Sequence, residues 1–163
     1  MTRLIQDLES ILQQLIVEHR KLLRHLDAHQ NAMKTMQLDG MDAAANQQEA
    51  SRLRIATLEN TRRIIVAQMA KQHKLTGDIT MARIAALYPD RGPSLMKLRD
   101  ELKKTILAIQ ARTHIAGRLA GAVLGHLNTV VRLIAGAVEH AGIYNKSGVP
   151  QVSGRIGVME AVG

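Results

Sequence analysis

Ten positions near the start of the chain, Ile5, Leu8, Leu12, Leu15, His19, Leu22, Leu26, His29, Met33 and Met36, follow one another in alternating steps of three and four, and eight of the ten are apolar. A β-strand cannot use that spacing, because its faces repeat every two residues, whereas an α-helix gathers all ten into one stripe. A helix from about Thr2 to Leu38 is therefore expected, roughly 50 Å long at about 1.5 Å per residue, and its seam requires a partner helix along its whole length.

The next segment supplies that partner. Asp39 and Gly40 punctuate the chain. Glycine tolerates the left-handed conformation that closes a helix, and Asp39 or Asp42 can cap the next one. A second helix is expected from about Met41 to His73, with Ile55, Leu58, Ile65 and Met69 on one face and Arg52, Arg62 and Arg63 elsewhere. The two make a helical hairpin. Thr76-Gly77-Asp78 breaks the second helix and caps a short one reaching Leu87, and Tyr88-Pro89-Asp90-Arg91-Gly92-Pro93 is too rich in Pro and Gly to be helical throughout. From Ser94 to about Ile143 the pattern is helical again, with a stripe of Leu95, Leu98, Leu102, Ile106 and Ile109.

The residue inventory agrees with an all-α fold of coiled-coil-like packing. Among 163 residues there is no Phe, no Trp and no Cys, and only two Tyr, so the core must come from Leu, Ile, Val, Met and Ala. Those are mostly good helix formers, while sheets normally draw on aromatics. One helical domain over residues 1–144 and a flexible tail over 145–163, rich in Gly, Ser and Pro, is the expected organisation. The absence of cysteine excludes a disulfide framework. Gln6, Asp7, Glu9, Gln13 and Gln14 interrupt the first apolar pattern, so it does not read as a secretory signal, and the chain is expected in the cytoplasm. The most apolar stretch, Ile115 to Val138, carries Arg118, His126, Asn128 and Arg132, so no transmembrane helix is expected.

Catalytic and metal-binding patterns find no support. His25 and His29 lie one helical turn apart, but no HExxH motif and no ExxH pairs of the di-iron type supply further ligands. There is no GxSxG elbow and no phosphate-binding glycine loop. Gly117, Gly121 and Gly125 fall inside a helix at fourfold spacing, which reads as close approach of another helix. A non-enzymatic protein without metal or cofactor is expected.

The informative feature is the width of the apolar surface between Ile115 and Val138. At 100° per residue Ile115, Ala116, Leu119, Ala120, Val123, Leu124, Leu127, Val130, Val131, Ile134, Ala137 and Val138 cover roughly 180°, against about 100° for an ordinary surface helix. One neighbouring helix cannot cover that arc. Either it is central to the domain or part of it awaits a partner. The formal charge of +8 favours acidic partners, and the scattered basic pairs leave nucleic acid or an anionic surface as an alternative. The lack of aromatics removes the stacking platforms used for single strands. A coiled-coil subunit that associates with itself is a third reading, with monomer and dimer both open.

Several short patterns in order, Glu18-His19 with Leu22-Leu23, Asp39-Gly40-Met41-Asp42, Leu58-Glu59 leading to Arg62-Arg63, Asn128, and the closing Tyr144-Asn145-Lys146-Ser147-Gly148, span most of the chain. In this respect it resembles the flagellar export chaperones of the FlgN family, which escort hook-filament junction proteins to the flagellar secretion apparatus. The chain departs from the family in its strongly basic balance and in His19, where an aromatic residue is common. The resemblance implies that the C-terminal helical region grips a helical segment at the C-terminus of its client, a hook-associated protein, and prevents premature assembly. By position, Leu119, Val123, Leu127, Val130, Ile134 and Val138 would line that groove. Tyr144 and Asn145 would belong to the segment that docks on the export gate.

Overall fold

The computed structural model describes residues 2–142 and contains four helices, α1 (Thr2–Lys34), α2 (Leu38–Gln72), α3 (Met81–Ala86) and α4 (Gly92–Gly142). No strand occurs among the described residues, and the all-α, hairpin-based fold expected from the sequence is the one formed. The expected tail over 145–163 lies outside the described residues. The described chain divides into two units, the first ending at Ala120 and the second beginning at Gly121.

The first unit is organised around the seam of α1. Ile5, Leu8, Leu12, Leu15, His19, Leu22, Leu26 and Met33 are all buried, as a stripe with steps of three and four demands. Its polar member His19 donates from Nδ1 to the Leu15 carbonyl at 2.7 Å, which satisfies a buried imidazole nitrogen without leaving the helix. Helix α2 returns antiparallel to α1, burying Ala44, Gln48 and Ser51 near the turn and Ile65 and Met69 at the far end. Small and polar side chains therefore close one end of the hairpin, and large aliphatic ones the other.

The turn itself differs from expectation. Helix α1 stops at Lys34, and Met36, not Gly40, adopts the left-handed conformation at φ 54°. The amide of Gln37 reaches back to the Ala32 carbonyl at 2.9 Å, closing the helix with a six-residue loop of the Schellman kind. Asp39 and Gly40 lie inside the first turn of α2, whose N-cap Gln37 makes no side-chain cap. Gly40 answers a different need there: a Cβ on it would sit 3.2 Å from Cβ of Ala32, so its small size lets the two helices converge at the turn. Met36, placed at the end of the seam by the sequence pattern, is exposed.

Helix α3 is shorter than expected. It begins after Thr80, whose hydroxyl accepts from the Arg83 amide at 3.3 Å, so Thr80 and not Asp78 is the cap. Ile84 and Ala85 are buried, and Ile84 joins the core formed by α1, α2 and the start of α4. Gly92 opens α4 so close to α3 that a Cβ would fall 2.6 Å from the Ala85 carbonyl oxygen. Beyond it Leu95 and Leu102 are buried, and Leu98 and Ile106 pack against the same core.

Ion pairs fix the register. Arg91 meets Glu9 at 2.6 Å, Arg20 meets Glu101, and Arg112 meets Asp27 at 3.0 Å, so α4 runs parallel to α1. Asp27 is two turns from the end of α1, so α1 can accompany α4 only to about Leu119. Across the hairpin, Glu18 accepts from Lys21 at 2.7 Å and from Arg54 at 3.0 Å. Burial pushes the Glu18 carboxyl up, but the hydrogen bonds and charges of Lys21 and Arg54 outweigh it and hold it below the usual 4.5.

Candidate functional site

Helix α4 passes through two regimes. From Leu95 to Ile106 its aliphatic residues Leu95, Leu98, Leu102 and Ile106 follow a narrow stripe that is buried or half-buried. From Leu119 onward they spread around the axis and most are exposed. At 100° per residue Leu119, Val123, Leu127, Val130 and Ile134 fall within about 80° of one another, so the sequence-predicted row does share one face. Leu119 and Val123 are half-buried, while Leu127 is 44% and Ile134 60% exposed and Val130 is exposed as well. Val138 lies within α4, and its side chain is outside the description; Tyr144 and Asn145 fall outside the described residues altogether.

The sequence row omitted three neighbours. Leu124 and Val131 extend the face on one side, both exposed, and Leu133, 69% exposed, extends it on the other at the same angle as Ile115. Leu124 and Val131 already belonged to the wide arc read from the sequence. Leu133 did not, although the same angular arithmetic places it with Ile115 at the edge of the arc. The apolar surface of this stretch spans roughly 180°, more than any single helix face covers.

The opposite side has its own character. Gly117, Gly121 and Gly125 share it with Arg118, Asn128 and Arg132, on the polar side of the helix. A Cβ built on any of the three glycines meets nothing within 4 Å. The close helix approach expected from their fourfold spacing is therefore not made within the described chain. Electrostatically the whole stretch is one-signed: between Leu102 and Val138 the sequence holds Lys103, Lys104, Arg112, Arg118 and Arg132 and no Asp or Glu.

This surface is predominantly apolar. Its exposed residues are mostly aliphatic, with His126 among them and a hydroxyl at Thr129, whose Oγ1 donates to the Gly125 carbonyl at 3.0 Å. Among the described residues no three His, Asp or Glu side chains cluster as metal ligands. His29, half of the histidine pair noted in the sequence, instead accepts from Gln48 Nε2 at 2.9 Å across the hairpin. No helix among the described residues is long and apolar enough to cross a membrane. Exposed apolar bands of this width are characteristic of association surfaces.

Comparison with protein-family models matches residues 1–151 to the family described as FlgN protein. Comparison with curated proteins and with solved structures returns no match.

Proposed function

Because this chain belongs to the FlgN family of flagellar export chaperones, we propose that it binds the C-terminal helical segment of hook-associated proteins, holds them unassembled in the cytoplasm, and delivers them to the export gate. The single observation behind this reading is the exposed aliphatic face of α4 at Leu127, Val130 and Ile134, with Leu119 and Val123 half-buried beside them. An apolar client helix laid on that face gains affinity by burial, at about 25 cal/mol for each Å² removed from water. Val138 continues the same row, and Tyr144 and Asn145 form part of the gate-docking segment in this proposal.

The reading needs no nucleotide, metal or catalytic group. The test is co-migration on a sizing column of the full chain with the C-terminal helical segment of a hook-filament junction protein from the same organism, at moderate and high salt. A salt-tolerant complex is expected, since burial of aliphatic surface is weakly screened while phosphate-type charge contacts weaken steeply with salt. The pair Leu127→Asp with Ile134→Asp should abolish it while leaving the chain folded, because both side chains already face water. A complex that survives the double substitution would remove α4 from the binding surface.

A further inference from the structure

A second surface lies in the first unit. Two cavities of about 330 and 410 Å³ share Glu59, Ile106 and Gln110 and so form one continuous groove between α2 and α4. Its floor is the seam of α1, at Leu12, His19 and Leu22. On α4 it runs from Arg99 to Gln110, about 16 Å, or three turns of a helix laid along it. Ile55, Ile106 and Ile109 line it, and Leu107 on its edge is 55% exposed. In this stretch α2 and α4 each pack on α1 and leave the fourth position of a helical bundle vacant.

The rim is mostly basic. Arg52 and Arg62 stand on the α2 wall and Arg99 and Lys103 on the α4 wall; Glu59, the one lining carboxylate, is held by Arg62 at 2.9 Å, and Arg99 is paired with its neighbour Asp100 at 2.6 Å. Among the described residues no ion pair engages Arg52 or Lys103. The occupant must therefore be apolar along one stripe and acidic on both flanks. The chain's own C-terminal residues 143–163 do not fit, since they carry Lys146 and Arg155 against Glu160. A second copy fits no better, because a chain of charge +8 brings like charge to a basic rim. Aliphatic walls without aromatic platforms also disfavour a nucleic-acid strand.

We propose that the α2–α4 groove over α1 is a second docking site, which takes three turns of an amphipathic helix with acidic flanks from another protein. The apolar stripe would supply affinity, and Arg52, Arg62, Arg99 and Lys103 would set its orientation and exclude basic helices. The site shares no residue with the client face of α4, so one protein could hold two helical partners at once.

The test uses the full chain and two synthetic helical peptides with the same Leu and Ala stripe, one flanked by Glu and the other by Lys, with binding read by fluorescence anisotropy at low and moderate salt. The Glu-flanked peptide should bind at least about tenfold more tightly than the Lys-flanked one. The exposed pair Arg52→Glu with Lys103→Glu should erase or invert that preference, and Leu107→Asp should weaken both peptides. Leu127→Asp with Ile134→Asp should leave this binding unchanged, which separates the groove from the client surface and keeps a failure of either reading distinct. Equal affinity for the two peptides, no binding of either, or a preference indifferent to Arg52→Glu with Lys103→Glu would overturn the proposal.

Discussion

The two stretches of α4 are made of much the same aliphatic residues and meet different fates. From Leu95 to Ile106 the aliphatic residues Leu95, Leu98, Leu102 and Ile106 keep to steps of three and four, only Met96 is apolar off the stripe, charged residues fill most of the remaining positions, and the stripe is buried or half-buried against α1 and its neighbours. From Leu119 to Ile134 they occupy about half the circumference, glycine recurs every four residues up to Gly125, and Leu124, Leu127 and Val131 stay exposed. A narrow stripe needs one neighbour, and α1 provides it. A broad band needs more than one, and α1 can accompany α4 only to about Leu119. Width, more than hydrophobicity, separates a helix that completes a core from one that offers a surface.

That comparison breaks most directly under one leucine-to-alanine change in each stretch. Leu95 is fully buried, so Leu95→Ala should cost about 2–5 kcal/mol of folding stability through lost burial and the cavity left behind. Leu127→Ala removes the same atoms from a side chain 44% exposed. It should change the stability of the free chain by no more than about 0.5 kcal/mol, yet weaken client binding. Chemical denaturation of both variants, with client co-migration as the second readout, checks the pair. Equal destabilisation would mean that the outer stretch is core.

A smaller effect should come from the glycines. Since a Cβ at Gly117, Gly121 or Gly125 meets nothing, replacing all three with alanine should add helix propensity at up to about 1 kcal/mol each without a steric cost. Greater helicity by circular dichroism and slower tryptic cleavage at Arg118 and Arg132 are the expected results. Client binding should hold or tighten, because the three positions lie on the polar side with Asn128. Loss of binding in the triple variant would show that the glycine face is itself a contact surface, and the division between the two sides of α4 would fail.

Much of the first unit was legible in the sequence because its α1 seam is nearly strict: seven of the eight apolar positions are buried, and Met36 fails only because the helix ends two residues earlier. Turn chemistry was read less well. Gly40 carries the usual signal for a left-handed residue, but the chain places Met36 there and uses Gly40 for close packing against Ala32. Propensity names a residue suited to a turn, while the register of two converging helices decides where the turn falls. The same limit applied to Asp78, which lost the capping role to Thr80. Of the proposed client face, the angular row was legible and its exposure was not, since an apolar arc of that width suits a core and a docking surface equally. The α2–α4 groove had no sequence signal, because it arises from α1 lying between two helices distant in the chain.

The smallest expected effect concerns acid, and it should touch only the hairpin side of the comparison. Glu18 joins α1 to α2 through Arg54 and is braced by Lys21, and its carboxyl is held below 4.5. A group whose folded pKa is depressed contributes stability that is present above its unfolded value and lost as pH falls through the folded one. The contribution should therefore be complete near neutral pH and fade below about 4.5. Glu18→Gln should lower stability at neutral pH by about 1 kcal/mol or less, because Arg54 is half exposed, and should flatten the acid limb of the stability profile. The stretch from Gly121 to Ala135 contains no carboxylate that could respond in this way. Helix content read residue by residue during acidification should thus fall in α1 and α2 before it changes there. Loss in α4 first would mean that the outer stretch depends on the hairpin for its helical form, and that the two regimes of α4 are coupled.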